Sequence, residues 1–134
     1  MVEINNKTRT QIDLKLVKKT AEKVLVFFKK EHHELSIGFI GDRKMSALNL
    51  RFRGKNKPTD VLSFSGEGED LGEILLDYQQ ISRQAKKYGN TAKQELIFIL
   101  VHGLLHLIGY NDETEKDRLA MVKLGEDIIK KLKL

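Results

Sequence analysis

The sequence predicts an α+β fold in which one small mixed sheet of about four strands packs with about five helices. Three observations carry this expectation. Apolar residues recur every three or four positions in several separate stretches, the period of an amphipathic helix. Between them lie short stretches in which apolar and polar residues alternate, the period of a half-buried strand. One stretch near the C-terminal end is apolar on most sides, as a helix at the centre of a fold must be. No internal repeat, low-complexity tract or linker interrupts residues 1–134, so one domain is expected.

The elements follow in order. Val2–Ile4 is a candidate short strand. From about Ile12 to Lys30 the residues Leu14, Val17, Ala21, Val24, Leu25 and Phe28 mark one face of a helix. Leu35, Ile37 and Phe39 alternate with Ser36 and Gly38, which predicts a strand. Asp42 suits the N-cap of a short helix that turns Met45, Leu48 and Phe52 inward. After a basic turn over Arg53–Thr59 come two strands, Asp60–Ser65 and Leu71–Asp77, joined by the Gly-Glu-rich loop Gly66–Asp70. Ile81–Tyr88 reads as a helix stopped by Gly89. Thr91 with Gln94 three residues later is a capping-box pattern, and it opens the apolar helix Ala92–Ile108. Gly109, which has no Cβ to clash in a left-handed turn, ends it. A last amphipathic helix over Glu115–Leu132 is expected to bury Leu119, Val122, Ile128, Ile129 and Leu132.

Composition narrows the functional classes. Hydrophobic residues make up 40% and charged residues 32%, the balance of a globular domain rather than a disordered chain. No apolar run approaches the roughly 20 residues that cross a bilayer, and MVEINNKTRT lacks the apolar core of an export signal, so no membrane partner and a cytoplasmic location are expected. The chain has no cysteine, which removes disulfides and thiolate metal sites and leaves imidazole and carboxylate as ligands. A net charge of +5, from 24 basic and 19 acidic residues, favours a polyanionic partner without identifying one.

The chemistry concentrates in His102-Gly103-Leu104-Leu105-His106-Leu107-Ile108-Gly109-Tyr110-Asn111-Asp112. Residues four apart on a helix share a face, with Cβ atoms about 5–6 Å apart, so two imidazoles there can close on one ion. After the turn at Gly109, Asp112 arrives where a third ligand is needed. Three protein ligands leave a position open for water, as a catalytic rather than structural zinc requires. The plainer alternatives stand beside this: the histidines as hydrogen-bonded core residues, and Asp112 with Glu115 as a capping box for the last helix. His32 and His33 read as surface residues without a role. Zincin-like helices of the HExxH type place a glutamate next to the first histidine as general base. Here that position is Gly103, which argues against a peptidase. Glu95 lies on roughly the same helical face and reads as a surface charge ahead of a group supporting the metal ligands.

With these residues in view, the chain resembles the YbeY family of bacterial zinc-dependent endoribonucleases involved in ribosomal RNA maturation. The family hallmark HGxLHLxGYDH appears as HGLLHLIGYND. A second block, LNxxYRGKDKPTDVLSF, appears as LNLRFRGKNKPTDVLSF over Leu48–Phe64, and a third, LGDI, as Leu71-Gly72-Glu73-Ile74. The likeness covers nearly the whole chain. It implies one zinc ion on His102, His106 and, in place of the family's third histidine, Asp112, with other divalent metals possible because a carboxylate is harder than imidazole. It implies that Arg53 is functionally important, and a guanidinium suits a phosphate because it binds two oxygens at once. Lys55 and Lys57 are further candidates for substrate binding, with a solvated basic turn as their alternative.

The resulting expectation is a metal-dependent endoribonuclease specific for single-stranded RNA, acting on ribosomal RNA precursors near the 3′ end of the small-subunit RNA, with the small ribosomal subunit as partner and no role for DNA. The competing reading is a non-catalytic assembly factor that binds RNA or a ribosomal protein around a structural metal. No residue in the sequence stands out as the general base.

Overall fold

The computed structural model describes residues 1–134. The chain runs β1 (Val2–Asn6), α1 (Leu14–Phe27), β2 (Glu34–Phe39), α2 (Asp42–Arg53), β3 (Val61–Ser65), β4 (Asp70–Leu76), α3 (Tyr78–Tyr88), α4 (Ala92–Ile108) and α5 (Glu115–Leu132). The four strands form one mixed sheet in the order β1-β2-β4-β3. β1 and β4 run parallel to β2, and β3 pairs antiparallel with β4. Register places Ile4, Ile37 and Ile74 in one row across the sheet, with Ser63 opposite Ile74. The pleat sends Leu35, Ile37 and Phe39 of β2 and Ile74 and Leu76 of β4 to the same face, where all are buried.

That face is covered by α1 and α4, and α3 and α5 pack against α4. Having neighbours on nearly every side explains why α4 is apolar nearly all round. The other face is covered near β3 and β4 by α2, through a small cluster of Met45, Ile40 and Leu62. Gly103 packs directly against the sheet. A Cβ there would lie 3.2 Å from Val61 Cγ2 and 3.3 Å from Ser63 Oγ, so the glycine that replaces the HExxH glutamate sits against β3 with no room for a longer side chain.

Several boundaries and faces differ from expectation for identifiable reasons. Gly41, not Asp42, is the N-cap of α2; Asp42 is the first helical residue and binds Arg83 through two oxygens, at 2.8 and 3.0 Å. Phe52 is 54% exposed, its ring set edge-on to Phe64, and the inward position is taken by Asn49. α3 begins at Tyr78 because Asp77 caps it, accepting hydrogen bonds from the amides of Gln79 and Gln80. In α5 Leu119 is 55% exposed, and Met121, Gly125 and Ile128 are the buried positions. Glu95 is buried rather than a surface charge, and it accepts a hydrogen bond from Asn90 Nδ2 at 3.2 Å.

Candidate metal centre

One stripe of α4, partly open to solvent, carries Phe98, His102 and His106, four residues apart each time. The Phe98 ring lies near-parallel to His102, with 6.5 Å between ring centroids. The helix ends at Gly109, whose φ of +121° is a conformation side chains resist. The chain then turns back, and the side chain of Thr114 caps α5 by accepting from the amide of Asp117. Because Thr114 takes the capping role, Asp112 is left to face the histidines.

The three ligand atoms converge. His102 Nε2 and His106 Nε2 are 3.2 Å apart, and Asp112 Oδ2 lies 3.6 Å from the first and 3.4 Å from the second. Ligands about 2.05 Å from a tetrahedral ion are about 3.3 Å from one another. The three separations bracket that edge, so His102, His106 and Asp112 fit a divalent ion and could bind one. Without an ion, the imidazole contact is also short enough for one ring N–H to donate to the other. The carboxylate closing the triangle is what a simple histidine pair does not explain. Burial, reinforced by the neighbouring His106, lowers the pKa of His102. This favours the neutral imidazole, the form that ligates metal.

These three residues line one side of a cavity of about 390 Å³. Arg53, at the C-terminal end of α2, reaches the same cavity, as do Asp60, Ser63 and Ser65 at β3 and Arg118 in the first turn of α5. Ser63 Oγ donates to the carbonyl of Gly103 at 3.2 Å and ties the β3 wall to the metal helix. Lys55 and Lys57 do not line this cavity; they line a neighbouring one, on the other side of Arg53. His32 and His33 lie in the turn between α1 and β2, away from the site.

Asp60 and Arg118 were not legible as site residues. Arg118 is three residues after Glu115, pairs with it at 2.8 Å, and reads in sequence as an ordinary solvated helix pair. Ser63 and Ser65 carried a usable signal: they fall on the same face of their strand as buried Val61, where apolar residues would be expected.

A family model described as Endoribonuclease YbeY matches residues 3–133. Relatives carrying that same description include proteins of Geobacillus thermodenitrificans, 36% identical with 95% of this chain and 90% of that one aligned, and of Petrotoga mobilis, 38% identical with 96% and 92% aligned. One from Thermodesulfovibrio yellowstonii is 44% identical over 74% of this chain and 67% of its own. Among solved structures, the chain is similar to the solution structure of TM1509 from Thermotoga maritima, with a TM-score of 0.66, 28% identity, and 99% and 92% of the two chains covered.

Proposed function

The chain belongs to the Endoribonuclease YbeY family, and from that premise we propose that its metal cavity cleaves single-stranded RNA in ribosomal RNA precursors, near the 3′ end of the small-subunit RNA. The enzyme is a hydrolase, an endoribonuclease of ribosomal RNA maturation. Zinc is the proposed ion, because two imidazoles and one carboxylate with an open position are a common catalytic zinc set. The proposed setting is the cytoplasm, with the small ribosomal subunit as partner. The observation that carries the reading is the convergence of three ligand atoms and a free guanidinium on one open cavity.

Bound there, a divalent ion supplies Lewis acidity toward a phosphoryl oxygen and a lowered pKa for water. The chain's own residues do the rest. His102, His106 and Asp112 fix the position at which that acidity is delivered. Arg53 has no carboxylate partner, so its guanidinium is available to hold phosphate oxygens in register with the metal position. Phe98, Ile99 and Val122 give part of the cavity an apolar wall, which strengthens the charge interactions inside it. Gly103, held against β3, leaves no place for the glutamate base of an HExxH peptidase.

The test is cleavage of a single-stranded RNA carrying a small-subunit 3′ precursor sequence, with and without a chelator, beside His106→Ala. The expected result is cleavage that chelation and the substitution each abolish and zinc restores to the wild-type chain alone. Cleavage that persists under both treatments would identify a contaminating nuclease and contradict the reading.

A further inference from the structure

Next to the metal cavity lies a second one of about 240 Å³ whose lining is polar apart from Pro58. Arg53 lines both. Beside it stand Lys55 and Lys57 from the turn that follows α2, Asn49 from α2 itself, and Gln80 and Gln84 from α3. We infer that this second cavity is a subsite for a phosphate of the RNA strand adjoining the bond that is cut, so that Arg53 lies between two phosphates of one strand. This inference rests on the endoribonuclease reading and adds to it a binding site for the flanking nucleotide.

Four observations carry the inference. No ion pair engages Arg53, Lys55 or Lys57, so three positive charges converge without internal compensation. A bare solvated turn would show the same charges, but it would not have the ordered walls found here. Asn49 is 1% exposed and donates from Nδ2 to the carbonyl of Lys57 at 2.9 Å, which fixes the turn against α2. Its Oδ1 is buried with no hydrogen-bond partner, an unspent acceptor in a residue that lines the cavity.

The opposite wall is held by a chain of hydrogen bonds. Arg83 donates to Gln80 Oε1, Gln80 Nε2 donates to Gln84 Oε1 at 3.1 Å, and Gln84 Nε2 donates to Asp60 Oδ2 at 3.0 Å. The last link ties up Asp60, a carboxylate that lines the metal cavity. A positive cavity with preset walls, sharing an arginine with the metal cavity, suits successive phosphates on a flexible strand.

The test uses His106→Ala protein, so that the probe is not cut, and a single-stranded pentaribonucleotide with a phosphate at its 5′ end, at its 3′ end or at neither. One of the two terminal phosphates should tighten binding about tenfold and steepen the dependence of log K on log salt by about 0.7. Adding Lys55→Gln with Lys57→Gln should erase that gain, with zinc content in the wild-type background unchanged. Lys15→Gln with Lys18→Gln on α1 removes the same charge elsewhere and should leave the gain intact. Equal gains in all three proteins, or an equal loss in both lysine pairs, would overturn the subsite and mean diffuse attraction only. If neither phosphate matters while the wild-type chain still cleaves RNA, the subsite alone falls. If wild-type protein cleaves no RNA, the enzyme reading falls first.

Discussion

Asp112 is the residue on which the chemistry turns. In the proposed centre, a carboxylate beside two imidazoles would bring one negative charge to an ion, lowering its Lewis acidity and widening the range of metals the site accepts. Its Oδ2 stands within 3.6 Å of both imidazole nitrogens, so its removal opens the triangle. Asp112→Ala should weaken zinc binding by more than about a hundredfold, whereas Asp112→His should retain one ion per chain. Competition with a chromophoric chelator measures both. The role proposed for Arg53, which lines the same cavity, is to hold the substrate instead. Arg53→Ala should lower kcat/KM on RNA about a hundredfold with zinc content unchanged, and Arg53→Lys should recover only part, because an ammonium cannot bind two phosphate oxygens in one plane.

Among the elements, α4 dictates what the site can and cannot do. A Cβ added at Gly103 would lie 3.2 Å from Val61 Cγ2 and 3.3 Å from Ser63 Oγ, so a side chain as long as glutamate must displace these β3 side chains or shift the helix that carries the histidines. Gly103→Glu should therefore create no peptidase. It should destabilise the fold by about 1–3 kcal/mol or more in urea unfolding, and it should lower zinc affinity as well.

α4 was also the element most legible in sequence. Thr91, Gln94 and Gly109 fixed both of its ends, because capping is local chemistry, and the capping box is present as expected. The HGLLHL segment likewise announced the two imidazoles. What sequence could not reveal depended on distant partners. Phe52 and Leu119 fit a helical period yet are exposed, because periodicity marks a face without showing whether a neighbour covers it. Asp77 read as the end of a strand, and only its hydrogen bonds to Gln79 and Gln80 make it the start of α3. The positions of Arg118 and Asp60 follow from how α5 and β3 meet α4, which no local pattern encodes.

For the molecule as a whole, stability should carry a pH dependence set away from the metal. Asp77 is fully buried, caps α3 through Oδ1, and has no partner for Oδ2. Burial, together with the neighbouring Asp42, raises its pKa from 3.8 to about 7. The hydrogen bonds from Arg83 move Asp42 the other way. A raised pKa means that the folded chain binds the proton more tightly than the unfolded one. The contribution of Asp77 to stability is therefore complete below about pH 3.8 and declines as pH rises through about 7. Asp77→Asn keeps the cap and imitates the protonated acid. Its stability relative to wild type should rise between those two pH values and level off above them, as chemical denaturation across pH would record.

The proposed cleavage chemistry requires that one ion be held by these three side chains and no others. Cobalt(II) titration of the metal-free chain tests this most directly, because a four-coordinate ion announces itself by intense visible absorption. One equivalent should give that spectrum, zinc should displace it, and His106→Ala or Asp112→Ala should abolish it. A wild-type chain that takes up no stoichiometric ion, or variants that bind it as tightly as the wild type, would contradict the account.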